Sequence, residues 1–395
     1  MFEQLTEGAK DPILSLSVAF REDPRPERID LGIGVYRNSV GETPIMAAVR
    51  AAQLELAQSQ TTKSYVGLTG NETFNNAMLD LLLGECGARQ RAVAIQTPGA
   101  SGALRLLADL IRMARPGARV WMSDPSYVNH APIMRAAGLE VAFFPYFDAA
   151  SKGVRGDEMM AALAAAGPGD VVLLHGSCHN PTGADLTLEQ WQTLARMAER
   201  QGFMPFVDVA YQGFGESLEA DVAGLRLLAE AVPELVIATS CSKNFGLYRE
   251  RVGAAVVIAN SPNQGAIARG RLQEIARTTY TMPPDFGAAL VAQVLTDPVL
   301  RQSWQAELVA MQQRIAGLRQ QLAAALRQAS GDSTFDYVAR HRGMFSMTAL
   351  SAEAIARLRD EWALYVVPGG RINIAGLREE QIPRVAAALV SVSAA

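Results

Sequence analysis

Seven short apolar runs, several rich in β-branched residues, recur between residues 92 and 260 at a spacing that leaves room for a helix between most of them. They span 92–96, 119–122, 141–144, 170–175, 205–209, 235–239 and 254–258. Runs that are apolar throughout are buried on both faces, and strands separated by helices pair through crossovers. The pattern therefore predicts an α/β fold with a mostly parallel sheet covered by helices on both sides. Periodicity predicts helices over 130–137 and 186–201, the second following the turn signal Asn180-Pro181-Thr182-Gly183. After Asp297 a Gln-, Arg- and Ala-rich stretch, 300–330, reads as one long helix leading to a smaller C-terminal unit. With 395 residues, 49% of them apolar, the chain can bury a large core and divide into about two or three units.

Charge narrows the partners. A net charge of −4 with both signs interleaved offers no basic stripe for nucleic acid and no cationic helix for a membrane surface. No apolar run approaches the roughly 18 residues that span a bilayer, and Met1-Phe2-Glu3-Gln4 does not open a secretory leader. The expectation is a cytoplasmic protein that acts on small molecules, without nucleic acid or membrane. Cys86, Cys178 and Cys241 are odd in number and lack Cys-x-x-Cys spacing, so they read as reduced, mostly buried thiols. Four scattered histidines give no zinc pattern, and no metal is expected. Residues 1–13, with Asp11-Pro12 as a stop, read as an arm that must dock on something to be ordered.

Only Lys10, Lys63, Lys152 and Lys243 are lysines; arginine does the remaining cationic work. Lys243 stands in Ser240-Cys241-Ser242-Lys243-Asn244, directly after a strand-like run. A desolvated ammonium loses its proton more easily than a guanidinium, and the free amine condenses with carbonyls to a Schiff base. A lysine that merely caps a strand and points at water is the competing reading. In open parallel sheets, ligands gather at the carboxyl ends of the strands, so the segments after each run should converge. Thr97-Pro98-Gly99-Ala100-Ser101-Gly102 places small residues between a strand and a helix, where amides and the helix dipole can hold a phosphate, or where close packing alone wants them. Asp208 lies inside an apolar strand and must face a cation or strong donor, either a protonated ring nitrogen or an arginine. His179-Asn180-Pro181 sets an amide side chain on a tight turn over the same strand ends, where Asn-Pro is also ordinary turn punctuation.

Taken in order, the motifs Leu31-Gly32-Ile33-Gly34-Val35-Tyr36, His179-Asn180-Pro181-Thr182-Gly183, Asp208-Val209-Ala210-Tyr211-Gln212-Gly213-Phe214, Ser242-Lys243-Asn244-Phe245-Gly246-Leu247-Tyr248 and Gly370-Arg371 cover nearly the whole chain. The chain resembles the fold-type I pyridoxal-phosphate transferases, and within them the class I aspartate and aromatic amino-acid aminotransferases. The resemblance implies a large domain over 46–309 with a seven-stranded, mostly parallel sheet, a small α/β domain over 14–45 and 310–395, and pyridoxal 5'-phosphate as cofactor. It implies that Lys243 holds the cofactor aldehyde and later moves the substrate α-proton. Asp208 would face the ring nitrogen, Asn180 and Tyr211 the phenolic oxygen, and Tyr127 the ring face. Gly99, Ala100, Ser101, Ser240, Ser242 and Arg251 would cradle the phosphate, with Tyr65 reaching in from a neighbouring subunit. Arg371, with Gly34 and Asn180, would grip the α-carboxylate, and Arg277 would cross from the partner to a distal carboxylate. A homodimer with shared sites follows. So does ping-pong transfer between amino acids and 2-oxo acids, with 2-oxoglutarate or oxaloacetate as acceptor.

Two departures bear on specificity. Tyr127 stands where the family usually has tryptophan, and Met282 where it has a polar residue near the distal-carboxylate arginine. A thioether adds flexible apolar lining and only a weak acceptor. Both changes, with Ser101, lean toward aromatic side chains; Asn244-Phe245-Gly246-Leu247 leans toward aspartate. The expectation is dual specificity for aspartate or glutamate and for tyrosine or phenylalanine. The alternatives are a strict aspartate enzyme, a lyase or decarboxylase on the same scaffold, and a non-catalytic ligand-binding regulator.

Overall fold

The computed structural model describes residues 1–8 and 12–393. Asp11 of the expected stop lies outside them; a helix, Pro12–Glu22, follows. The seven expected runs are the seven strands of one sheet: β1 (Ala92–Pro98), β2 (Arg119–Asp124), β3 (Glu140–Pro145), β4 (Val171–His175), β5 (Met204–Val209), β6 (Leu235–Ser240) and β7 (Val252–Ile258). Their order across the sheet is β1-β7-β6-β5-β4-β2-β3. Strands β2 to β6 pair in parallel, whereas β7 runs antiparallel to both of its neighbours, β1 and β6. The antiparallel strand returns the chain to the edge strand β1 without another crossover helix.

Alternation along the strands explains the two covered faces. Val172, Leu174, Val207 and Ile237 pack with Trp191, Leu194 and Leu225 on one side. Their neighbours Val171, Leu173, Phe206 and Val236 pack with Leu107 and Ile111 on the other. The helix expected from 186 starts at Leu188, because Thr187 forms a capping box with Gln190. The long helix runs Pro298–Ser330 rather than starting at 300. Asp297 Oδ1 accepts from the amides of Val299 and Leu300, and proline fits the first turn, where its missing N–H costs nothing.

Trp304, Leu308, Met311, Ile315, Leu318 and Leu322 mark that helix's buried face, packed in one cluster with the C-terminal helix, Ile382–Ser393. Beside it lie two short ladders: Ile29–Asp30 pairs in parallel with Leu364–Tyr365, and Arg371–Asn373 antiparallel with Phe345–Met347. Buried Arg319 donates to the carbonyls of Gly343 and Phe345 and to Ser346 Oγ, so the long helix anchors the strand opposite Arg371. Among the described residues no helix is long and apolar enough to cross a membrane.

Candidate active site

The carboxyl ends of β1, β2, β4, β5 and β6 and the start of antiparallel β7 lie at one edge of the sheet. Ala100, Ser101, Tyr127, His175, Asn180, Asp208, Tyr211, Ser240, Ser242, Lys243, Tyr248 and Arg251 line one pocket there. Gly99 is the hinge of the end that Arg251 lines. Its φ is +69°, and a Cβ would come within 2.5 Å of Arg251 Nη2, so only glycine lets the strand-to-helix turn close on that guanidinium. Gly253 performs the same service from β7, where a Cβ would meet Thr239 O at 2.4 Å and Gly99 C at 2.6 Å. Arg251 is fixed by Nη1, which donates to Ser242 Oγ (3.2 Å) and Tyr248 O (2.9 Å). Ser240 Oγ accepts from the Ser242 amide at 3.1 Å. The helix that follows, Gly99–Ala114, points its free amides into the same corner.

Lys243 is half-buried, with Nζ 4.9 Å from the centroid of the Tyr211 ring. Burial pulls its pKa down to about 8, helped by the charges of Arg251 and Arg371 and opposed by Asp208. The amine is therefore far more readily free than an exposed lysine's. Tyr211 is pushed upward by its own burial and keeps its phenolic proton; its Oη accepts from Asn180 Nδ2 at 3.4 Å.

Asp208 settles an alternative left open by the sequence, because its partner is a histidine and not an arginine. His130 Nε2 lies 2.9 Å from Asp208 Oδ2, and His130 Nδ1 lies 2.9 Å from Ser126 Oγ. Ser126 Oγ is 3.3 Å from His175 Nε2, and the Asn180 amide reaches His175 Nδ1 at 3.5 Å. A carboxylate can only accept and the Asn180 backbone N–H can only donate, so with neutral rings the direction of the chain is fixed from both ends. His130 Nε2–H donates to Asp208, Ser126 donates to His130, His175 Nε2–H donates to Ser126, and the Asn180 amide donates to His175. Every proton has a place with both imidazoles neutral. Burial pushes His175 down to about 3, which agrees. Burial alone would raise the Asp208 pKa; the His130 hydrogen bond, reinforced by the Lys243 charge, outweighs it and holds the carboxyl ionised. Its other oxygen, Oδ1, is buried and has no partner among the described residues.

Arg371 enters from the short ladder beside the sheet domain. It is 6% exposed and stacks 4.3 Å over Phe345, with Nη1 toward Asn180 Oδ1 (3.4 Å) and Nη2 on Gly32 O (2.6 Å). Its Nε is buried without a partner among the described residues. Gly34 belongs to the same wall, since a Cβ there would stand 2.8 Å from Phe345 Cζ. Tyr127, expected over the ring, is half-buried at the pocket wall, its hydroxyl accepting from Asn129 Nδ2 at 3.3 Å. Tyr65 and Arg277 stand apart from this pocket. Tyr65 is 89% exposed and Arg277 is exposed, and neither has a hydrogen-bond or ion-pair partner among the described residues.

His130, His175 and Tyr248 were not anticipated as site residues. His175 could have been found, because it ends a predicted strand that lies beside Asp208 in register. His130 gave no such signal, since only the folded crossover brings it under β5.

A carboxylate with one unmet oxygen, an amine of lowered pKa and a guanidine-lined anion corner, at the carboxyl edge of such a sheet, define a pyridoxal-phosphate-dependent enzyme. The family model described as aminotransferase class I and II matches residues 26–389, and the chain belongs to that family. It is 47% identical to the aromatic-amino-acid aminotransferase of Paracoccus denitrificans over 99% of this chain and 100% of that one. It is 42% identical to the aspartate aminotransferase of Escherichia coli, with the same coverage. A Burkholderia pseudomallei aromatic-amino-acid aminotransferase covalently bound to pyridoxal phosphate superposes with a TM-score of 0.96, at 40% identity and 99% coverage of both chains. The chain is a fold-type I aminotransferase, and pyridoxal phosphate is its cofactor.

Proposed function

We propose that this enzyme transfers amino groups from aspartate, glutamate, tyrosine and phenylalanine to 2-oxoglutarate or oxaloacetate, in a homodimer whose sites are shared. The observation that carries the reading is a pair of unmet buried polar atoms in one active-site region. Asp208 Oδ1 calls for a cationic N–H, and Arg371 Nε calls for a carboxylate oxygen. The cofactor's ring nitrogen answers the first and an amino acid's α-carboxylate the second, so the residues fit the group. Ser240, Ser242, Arg251 and the amides of Gly99, Ala100 and Ser101 would hold its phosphate, and Asn180 and Tyr211 its phenolic oxygen.

When bound, pyridoxal phosphate supplies an electron sink for the bond broken at the substrate α-carbon. Lys243 is the residue that would hold the cofactor's aldehyde end. The same amine, freed when an amino acid binds, would serve as the base for the α-proton, which a pKa near 8 suits. Asp208, kept ionised by His130, would hold the ring nitrogen through its free Oδ1 and favour a proton there. Arg371 orients the α-carboxylate so that one bond is presented for cleavage.

Similarity to relatives named for aromatic and for aspartate substrates supports dual specificity, as do Tyr127 and Met282. The exposure of Tyr65 and Arg277 supports a partner subunit that receives them. Pairing of Ile29–Asp30 with Leu364–Tyr365 supports a small domain over 14–45 and 310–395 beside a large one over 46–309. Three free cysteines fit a cytoplasmic setting. Steady-state kinetics with aspartate and with phenylalanine tests the reading: the two kcat/KM values are expected within about 100-fold of each other. Phenylalanine slower by more than about 1,000-fold would leave a strict aspartate enzyme, and ammonia or carbon dioxide as product would leave a lyase or decarboxylase.

A further inference from the structure

Tyr65 and Arg277 sit on two separate segments, and one buried amide ties the segments together. Gln96, on the edge strand β1, is fully buried. Its backbone N–H donates to Thr69 O (2.9 Å), its Oε1 accepts from the Asn71 amide (2.9 Å), and its Nε2 donates to Pro284 O (2.7 Å). Asn71 caps the helix Glu72–Leu83, and Pro284 is the cap residue of the helix Asp285–Thr296. Asn71 Nδ2 also reaches Asp285 Oδ1 at 3.4 Å. Tyr65 precedes the first of these starts and Arg277 the second. A further tie joins them directly: the Val66 amide donates to Met282 Sδ at 3.3 Å. Gly70 permits the closure, with φ at +74° and no Cβ, which would otherwise stand 2.3 Å from Gln96 Oε1.

We infer that Gln96 is a positioning residue for the neighbouring subunit's site. It sets the span between Tyr65 and Arg277, so that the cofactor phosphate and the distal substrate carboxylate of the partner are gripped by one rigid unit. The amide uses both of its ends, a donor on one segment and an acceptor on the other, which neither a carboxylate nor an alkyl chain reproduces. The inference rests on the shared-site reading. Its rival is a local role, since β1 runs on into Gly99 and the phosphate turn of Gln96's own pocket.

Two hybrid dimers, isolated with two affinity tags, separate the alternatives. In the first, one subunit carries Lys243→Ala and the other Gln96→Leu, so the working lysine receives Tyr65 and Arg277 from an unaltered segment. In the second, one subunit carries both substitutions and the other is wild type, so the working lysine receives them from an altered segment. The expected result is a wild-type KM for aspartate in the first hybrid and a KM raised about tenfold in the second, with phenylalanine shifted less than about threefold. Equilibrium dialysis of the Gln96→Leu homodimer against pyridoxal phosphate should show affinity weakened about tenfold. The reverse pattern, equal loss in both hybrids or no loss in either overturns the assignment. Should Gln96→Leu not fold, Gln96→Glu keeps the acceptor and loses only the donor to Pro284 O, and the same pair of hybrids decides. Sedimentation of the wild-type chain as a monomer would remove the shared-site reading itself; a dimer with the reversed pattern removes only the role of Gln96.

Discussion

The inner wall of the pocket and its outer edge are built on opposite terms. Inside, Asp208, His130, Ser126, His175 and Asn180 form a chain in which each group has a partner, and Arg251 and Arg371 are pinned by carbonyls and hydroxyls. At the edge, Tyr65 and Arg277 project into solvent with no partner in the described chain. Groups whose chemistry depends on an altered pKa must be desolvated, and these desolvated groups are held by neighbours from their own subunit, apart from the two atoms, Asp208 Oδ1 and Arg371 Nε, proposed to meet the ligand. On the shared-site proposal, groups that act across an interface keep ordinary surface chemistry until the second subunit covers them. The two halves should therefore fail differently.

The largest effect belongs inside. Lys243→Ala is expected to reduce single-turnover amino transfer by more than about 10,000-fold, and Lys243→Arg should not rescue it, because a guanidinium stays protonated. A rapid-quench assay retaining more than about one part in a hundred would break the account. Next comes a direct contrast between the two arginines. Arg371→Leu should raise KM for aspartate and phenylalanine alike by about 100-fold or more, since both carry an α-carboxylate. Arg277→Leu should do so for aspartate only, leaving phenylalanine within about threefold. Equal losses on both substrates for Arg277→Leu would remove its assignment to a distal carboxylate and dissolve the contrast.

A smaller effect lies in the pH dependence of the cofactor-free protein. The folded pKa of Lys243, about 8, lies below the ordinary 10.5. Between those values the unfolded chain binds a proton that the folded chain does not, so stability rises with pH across that window. Urea midpoints compared at about pH 7.5 and about pH 9.5 should rise for the wild type and rise less for Lys243→Met. Identical slopes would mean that the amine is solvated. The smallest effect is at Tyr127. Tyr127→Trp restores the usual ring and should shift the aspartate-to-phenylalanine preference by only a few-fold, because Tyr127 is held by Asn129 and not by a substrate-binding arginine.

The same contrast explains what could be read from the sequence. All seven strands were legible because doubly covered strands are apolar throughout, and their ends differ from expectation by at most two residues. The reversal of β7 was not legible, because an apolar run carries no direction. Lys243 and Asp208 stood out as a rare lysine after a strand and an acid within one. His130 could not, since its link to Asp208 depends on how the crossover after β2 packs under β5. Gln96 was hidden for a similar reason: a polar residue in an edge strand looks like a surface residue until Asn71 and Pro284 are brought to either end of it.

The central claim is that one pocket, built around Lys243, accepts amino groups from both an acidic and an aromatic amino acid. The most direct test is to add L-aspartate and L-phenylalanine separately to the purified holoenzyme without an oxo-acid acceptor. Absorbance then follows conversion of the bound cofactor from its aldehyde form to its amine form. The account predicts conversion by both amino acids, with oxaloacetate or phenylpyruvate released in amounts equal to the sites converted. Conversion by aspartate alone would contradict dual specificity, and no conversion by either would contradict amino transfer at Lys243.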